Sequence, residues 1–155
     1  MRSVEDWLAD YGASHQHPVN KALHWVCVPL IVLAVLGLLW SLPVPPALAT
    51  RAPLVNWTTL AVAAAVGYYA LLSLRLALGM LLPLAVALWA LTRLAAAPPP
   101  LWQSCLAIFV VAWIGQFVGH AVEGRRPSFF KDLQFLLIGP LWLLSFAYRR
   151  LGLRY

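Results

Sequence analysis

The run from His24 to Leu42, HWVCVPLIVLAVLGLLWSL, holds 19 residues without one formally charged side chain. At about 1.5 Å of rise per residue, a helix of that length nearly matches a hydrocarbon core about 30 Å thick. The rest of the chain repeats the pattern. Leu54 to Thr92 is too long for one crossing and is interrupted by Arg75, which predicts a helical hairpin turning near Ser73 to Ala77. Pro83 predicts a kink in its second arm, and the prolines ending at Pro100 close that arm. Leu101 to about Gly119 is a further apolar stretch, and it finishes in the polar sequence GHAVEGRRP.

Working outward, the 155 residues are 63% hydrophobic and 10% charged, with a mean hydropathy of +0.81. That rules out the mixed charged surface a soluble domain needs. The first twenty residues carry Glu5, Asp6 and Asp10 and contain no apolar core, so no cleavable signal peptide is expected. A net charge of +6 would point to nucleic acid in a soluble chain. Here the basic residues flank apolar spans, so topology and anionic lipid account for them and no nucleic-acid partner is expected. Trp25, Trp40, Trp57, Trp89 and Trp102 fall near span ends, as interface anchors do. Cys27 and Cys105 fall toward opposite ends of their spans and read as packing thiols.

The last apolar stretch, Leu133 to Tyr148, is short and carries Gly139-Pro140 at its centre. Arg2, Lys21, Arg75, Arg125, Arg126 and Lys131 collect on the face of the N-terminus, against Arg51 and Arg93 on the other. Arg149, Arg150 and Arg154 join the richer face only when the last segment turns back. The expected fold is therefore all-α, a single polytopic membrane domain with both termini cytoplasmic. Its four full spans lie at about 18–42, 54–73, 76–93 and 101–123, with a broken or re-entrant fifth helix at 133–148. An N-terminal interfacial amphipathic helix at 3–12 precedes them, with Val4, Trp7, Leu8 and Tyr11 on one stripe, Ser3 and Asp6 as a capping box and Gly12 as its stop. Nine Arg against two Lys fit a GC-rich bacterial source and hence an inner membrane.

The histidines are not scattered. His15, His17 and His24 fall at or just before the first span, and His120 falls at the end of the fourth; three further crossings return the chain to the same face. Pro18 suits a first helical position, and from there His17, Asn20 and His24 share a narrow stripe. On the fourth span Gln116, His120 and Glu123 form another, flanked by Gly115 and Gly119 at a spacing that lets helix backbones approach. Gly124 and Pro127 end that helix. Ionisable side chains at membrane depth are costly unless paired, so such a cluster is a candidate metal site. Three neutral imidazoles with open positions suit Fe(II) or Zn(II), and an added oxygen ligand favours non-haem iron. His24 and His120 could also act as axial haem ligands, although no haem is expected.

The same residues carry a family resemblance. Tyr11-Gly12-Ala13-Ser14-His15-Gln16-His17-Pro18-Val19-Asn20, with His24 and Pro29, resembles the signature Y-G-x-x-H-x-N-P-x-N-x-x-x-H-x-x-x-x-P. Gln116-Phe117-Val118-Gly119-His120, followed by Glu123 and Arg125-Arg126-Pro127, resembles Q-F-x-G-H…E-x-R-x-P, and Gly139-Pro140 matches a later G-P. The family is that of the 2-hydroxy fatty acid dioxygenases, and the resemblance runs from about Trp7 to Arg150. It implies Fe(II)-dependent α-oxidation, in which O₂ is co-substrate, a 2-hydroxy fatty acid loses one carbon and no 2-oxoglutarate is used. It further implies His15, His24 and His120 as metal ligands, with Glu123, Asn20 and Tyr11 as residues serving the chemistry, Glu123 either as a ligand or as a partner that orients an imidazole. His17 stands where the signature has Asn, so it is either a fourth ligand or a helix cap. Lys21, Arg125 and Arg126 lie on the same face and are candidates for attracting the substrate carboxylate. Two other readings stay open: a zinc-dependent membrane lipid hydrolase with Glu123 as general base, and a non-enzymatic scaffold or lipid-binding protein whose histidines only meet headgroups.

Overall fold

A computed structural model describes residues 2–52, 54–127 and 134–155, and among these the protein is entirely helical, without strands. Six helices have ten residues or more: α1 (Val4–Ala13), α2 (Pro18–Trp40), α4 (Trp57–Leu72), α5 (Leu74–Ala95), α6 (Leu101–Glu123) and α7 (Phe135–Arg150). A short α3 (Pro46–Arg51) lies between α2 and α4. Lys131 and the start of the segment predicted from residue 133 lie outside the described residues.

Among the described residues, α2, α5 and α6 are long and apolar enough to cross a bilayer, and α4 is a shorter apolar helix. The second expected span shortens to the 16 residues of α4, about 24 Å of helix, because Asn56 caps it at one end and Ser73 at the other. Ser73 then caps α5 as well, accepting from the Leu76 N–H, so the hairpin turns where Arg75 foretold. Large apolar side chains such as Leu60, Leu82, Val111 and Ile114 face outward on these helices. That surface suits hydrocarbon and not water.

The pairing of α2 with α6 is the framework. They run antiparallel, and each close approach is made over a glycine. A Cβ at Gly37 would stand 2.2 Å from Cys105 Sγ, one at Gly115 would stand 2.6 Å from Cys27 Sγ, and one at Gly119 would stand 2.4 Å from Asn20 Oδ1. Both thiols are free and buried in these notches, as packing residues. Thr58 ties α4 to the same pair by donating to the Leu36 carbonyl at 2.8 Å.

Three expectations need correction. Gly12 does not stop α1, which runs on to Ala13; it is there because Trp142 Nε1 would lie 3.2 Å from a Cβ. The apolar stripe Val4, Trp7, Leu8 and Tyr11 is buried as expected, but it packs on α7, with Trp7 edge-on to Phe135 at 5.3 Å, so it is not offered to lipid. Finally, α7 is unbroken through Gly139-Pro140. Pro140 lies in the second turn, where the bond it removes would have gone to Leu136, the second residue of the helix, so the loss is confined to an end that frays in any case.

Both ends of α7 sit at one end of the bundle. Leu137 accepts a hydrogen bond from Tyr69 near the end of α4, and Tyr148 donates to the Arg75 carbonyl near the start of α5. The Tyr148 ring fills a notch left open by Gly79. Overpacking a helix contact costs about 1–3 kcal/mol, whereas alanine for an open helical glycine gains about 0.5–1 kcal/mol. Gly37→Ala is therefore expected to lower the thermal midpoint in detergent and a second Cys105→Ala change to restore it in part, since Leu91 Cδ2 at 2.8 Å still meets the new Cβ, while Gly67→Ala, with nothing within 4 Å, raises it.

Candidate metal centre

Each element that carries a histidine is fixed by a local device. The capping box of Ser3 and Asp6 starts α1, which delivers Tyr11 and then, past its C-terminus, His15. His17 caps α2 through Nδ1, which accepts from the Val19 N–H at 3.2 Å, and Pro18 fills the first turn. That helix places Asn20 and His24 one turn apart. On α6, the left-handed Gly124 lets the Arg125 N–H return to the His120 carbonyl and the Gly124 N–H to that of Ala121, a Schellman closure that pins the turn bearing His120.

His15, His24 and His120 converge. Each offers one nitrogen, and these lie within 4.8 Å of one another, near enough for small side-chain rotations to bring all three onto one ion. The ring centroids are 4.2, 4.9 and 5.1 Å apart. All three side chains are buried, none more than 5% exposed. The Nδ1 of His24 faces the Asn20 carbonyl at 2.9 Å, and that of His15 faces the Tyr11 carbonyl. A carbonyl can only accept, so both Nδ1 atoms carry the proton and both Nε2 atoms present a lone pair. His15 Nε2 is buried with no hydrogen-bond partner, and so is His120 Nδ1. Leaving such atoms unsatisfied costs about 1–3 kcal/mol each. A cluster of buried imidazoles with orphaned ring nitrogens is what a divalent cation requires of its ligands.

Protonation does not compete. Burial, reinforced by the adjacent His24, holds His15 down to about 3 against the opposing effect of the Tyr11 carbonyl. His15 is therefore neutral near pH 7.

Glu123 does not touch an imidazole. Its carboxylate accepts from the Gln16 N–H at 2.8 Å, the His17 N–H at 2.7 Å and the Asn20 amide at 3.2 Å. It caps α2 from α6 and clamps the turn that holds His15. Asn20, fully buried, also donates to the Ser14 carbonyl at 3.3 Å. Tyr11 stacks on His15 at 4.2 Å, and burial raises its phenol well above its ordinary value, so it stays a hydrogen-bond donor. His17 is exposed and lies outside the three-histidine group.

A cavity of about 60 Å³ opens beside the cluster, lined by Tyr11, His15, His24, Gln116 and His120 and continued by apolar residues of α2, α6 and α7. Lys21, Arg125 and Arg126 do not line it. Arg125 instead donates to the Ala13 carbonyl at 3.1 Å, joining the end of α6 to the end of α1.

A family model described as Mpo1-like, 2-hydroxy-palmitic acid dioxygenase Mpo1-like, matches residues 1–151. The chain belongs to this family. No curated protein and no solved structure matches it significantly.

In this Mpo1-like chain, α7 supplies parts of the site that the sequence reading left out. Phe135 and Gly139 line the cavity, and Trp142 lies 5.3 Å from His15. Their i, i+4, i+7 spacing across the Gly-Pro pair was the available signal. Because an amide has one accepting oxygen, Glu123→Gln is expected to loosen the turn at 14–17 and lower divalent-metal affinity about 10–100-fold in a competition titration. In metal-free protein, the unfolded chain gains a proton at His15 below about pH 6.5 that the folded chain refuses until about 3. Stability is thus expected to fall with pH across that window and to fall less steeply in His15→Gln, as followed by thermal unfolding.

Proposed function

We propose that the protein is an Fe(II)-dependent dioxygenase that shortens 2-hydroxy fatty acids by one carbon at the membrane. The observation that carries this reading is the buried trio of His15, His24 and His120, with two orphaned ring nitrogens, in a chain of the 2-hydroxy-palmitic acid dioxygenase family. His15, His24 and His120 would hold the iron as three neutral ligands. The chemistry that iron supplies when bound there is the activation of O₂ beside a chelated substrate. Electron bookkeeping supports the absence of 2-oxoglutarate: R–CHOH–COOH plus O₂ balances to R–COOH, CO₂ and H₂O, the substrate itself giving all the electrons O₂ takes up.

The remaining roles belong to this chain's own side chains. Asn20 and Glu123 hold His15 and His24 in place through the turn and the helix end. Tyr11, protonated and at the cavity wall, donates a hydrogen bond to the substrate carboxylate. Lys21, Arg125 and Arg126 draw that carboxylate toward the site by their field, since none of them reaches the cavity. The apolar continuation of the cavity excludes water from the reacting carbon. We read α2, α4, α5 and α6 as four crossings, with α7 lying along the metal-site end of the bundle. That end faces the cytoplasm of a bacterium, with the protein in its inner membrane.

Two observations weigh against the rivals. A hydrolase would need Glu123 as a free general base, yet both its oxygens are engaged by N–H donors. A scaffold whose histidines meet headgroups would expose them, and these three are buried.

Protein purified without added metal is expected to carry about one iron per chain and to consume O₂ only with a 2-hydroxy acid. His24→Ala and His120→Ala are expected to abolish both iron content and O₂ uptake. Undiminished turnover after exhaustive metal removal, or stoichiometric zinc with O₂-independent product, would overturn the reading.

A further inference from the structure

A second hollow, about 580 Å³, lies between α2, α5 and α7. It is within the range of small-molecule pockets, about 300–1,000 Å³, and no charged side chain lines it. The proline inside each of the three helices, Pro29 of α2, Pro83 of α5 and Pro140 of α7, stands on one of its walls. Proline interrupts the helical ladder and prevents the straight, close contact by which neighbouring helices fill their own seam. The hollow is thus built into the sequence at three places.

Its position relative to the histidines assigns it an occupant. Val28 and Val32 line both this groove and the cavity of the metal centre, and the neighbours Gly139 and Pro140 on α7 divide between the two, Gly139 in the cavity and Pro140 in the groove. A Cβ at Gly139 would stand 3.0 Å from Tyr11 Oη and 3.7 Å from Val28 Cγ1, so α7 packs closely on Tyr11 and Val28 at that point and the two spaces meet along Val28 and Val32. The groove also opens sideways: Leu82, Val86 and Trp25 at its edge are 72, 55 and 48% exposed. The histidine cavity itself is too small for more than a polar head.

We propose that the substrate's acyl chain lies in the groove between α2, α5 and α7, reaching it from the histidines past Val28 and Val32, and that the small residues Ala87 and Ala90 of α5 set the longest chain accepted. The inference rests on the dioxygenase reading for the identity of the head group. The groove accepts the tail from the bilayer laterally, so the carboxylate reaches the histidines without the tail leaving an apolar environment. Transfer of each methylene into water is unfavourable, which makes this the favoured route for a long chain.

Two measurements on the full-length protein in detergent micelles test it. The first compares O₂ uptake with 2-hydroxypalmitate and 2-hydroxyhexanoate in wild type, Ala87→Trp and Ala90→Phe. Plugging the groove is expected to lower kcat/KM for the long acid by at least about tenfold and to leave the short acid within about twofold. An equal loss on both acids, or none on either, overturns the proposal. The second measurement needs no turnover. A 2-hydroxy fatty acid with a diazirine at its chain end is photolysed on the protein and the labelled peptides are mapped. Label is expected on Met80 to Ala90 and on α7, competed by 2-hydroxypalmitate and lost in Ala87→Trp. Label on α6 around Trp113, or groove label that a phospholipid displaces and 2-hydroxypalmitate does not, overturns it. Competed groove labelling without any O₂ uptake by wild type would leave the groove standing and remove the dioxygenase reading.

Discussion

Three buried imidazoles are held edge to face, and His15 Nε2 and His120 Nδ1 among them have no hydrogen-bond partner. Two of them spend their N–H on backbone carbonyls of Tyr11 and Asn20, so the lone pairs left over point at one another's neighbourhood and repel. Such an arrangement is unfavourable for the folded chain taken alone. It persists because everything around it is over-determined: the capping of α1, the proline start and His17 cap of α2, the Schellman closure of α6, and the carboxylate of Glu123 joining α6 to the turn before α2. Removing any one of these leaves the other constraints in place, but the histidine positions are then no longer fixed to the accuracy that coordination demands.

The same constraint explains why the helices pack as they do. Polar side chains at the end of a membrane helix must meet across a short distance, and only glycine at 115 and 119 lets α2 and α6 come that close. Farther along the pair, Gly37 receives Cys105 in the same manner. The cysteines are thus complements to glycines, which accounts for their burial without any redox role.

Much of this was legible in the sequence, for reasons that can be named. Helix α6 was bounded at its observed residues because proline precedes it and glycine follows it, and α1 because its cap and its i, i+3, i+4, i+7 stripe are both local signals. Counting crossings put all four histidines on one face, a global argument that survives an error of several residues in any one helix, and the family resemblance singled out His15, His24 and His120, the three that converge. The shortening of α4 escaped because hydropathy does not register a capping asparagine inside an apolar stretch. Gly12 was misread as a terminator because glycine's two uses, left-handed backbone and absent side chain, look alike until Trp142 is seen beside it. The role of Glu123 as a clamp on backbone N–H groups was also beyond reach, since spacing along a helix reveals which way a carboxylate faces but not which donors wait there. For the same reason Lys21, Arg125 and Arg126 could be placed on the right face and not in the cavity.

The bond from Gln16 to Glu123 closes a loop of more than one hundred residues, and every link between the two halves of the site is of this kind. During synthesis, Asn20 and His24 must therefore enter the bilayer long before α6 exists to receive them. Until that last long helix is made, the first one carries an unmatched polar stripe at its start. Assembly of the centre is in this sense a late event in the life of the nascent chain, gated by the exit of its final third from the ribosome.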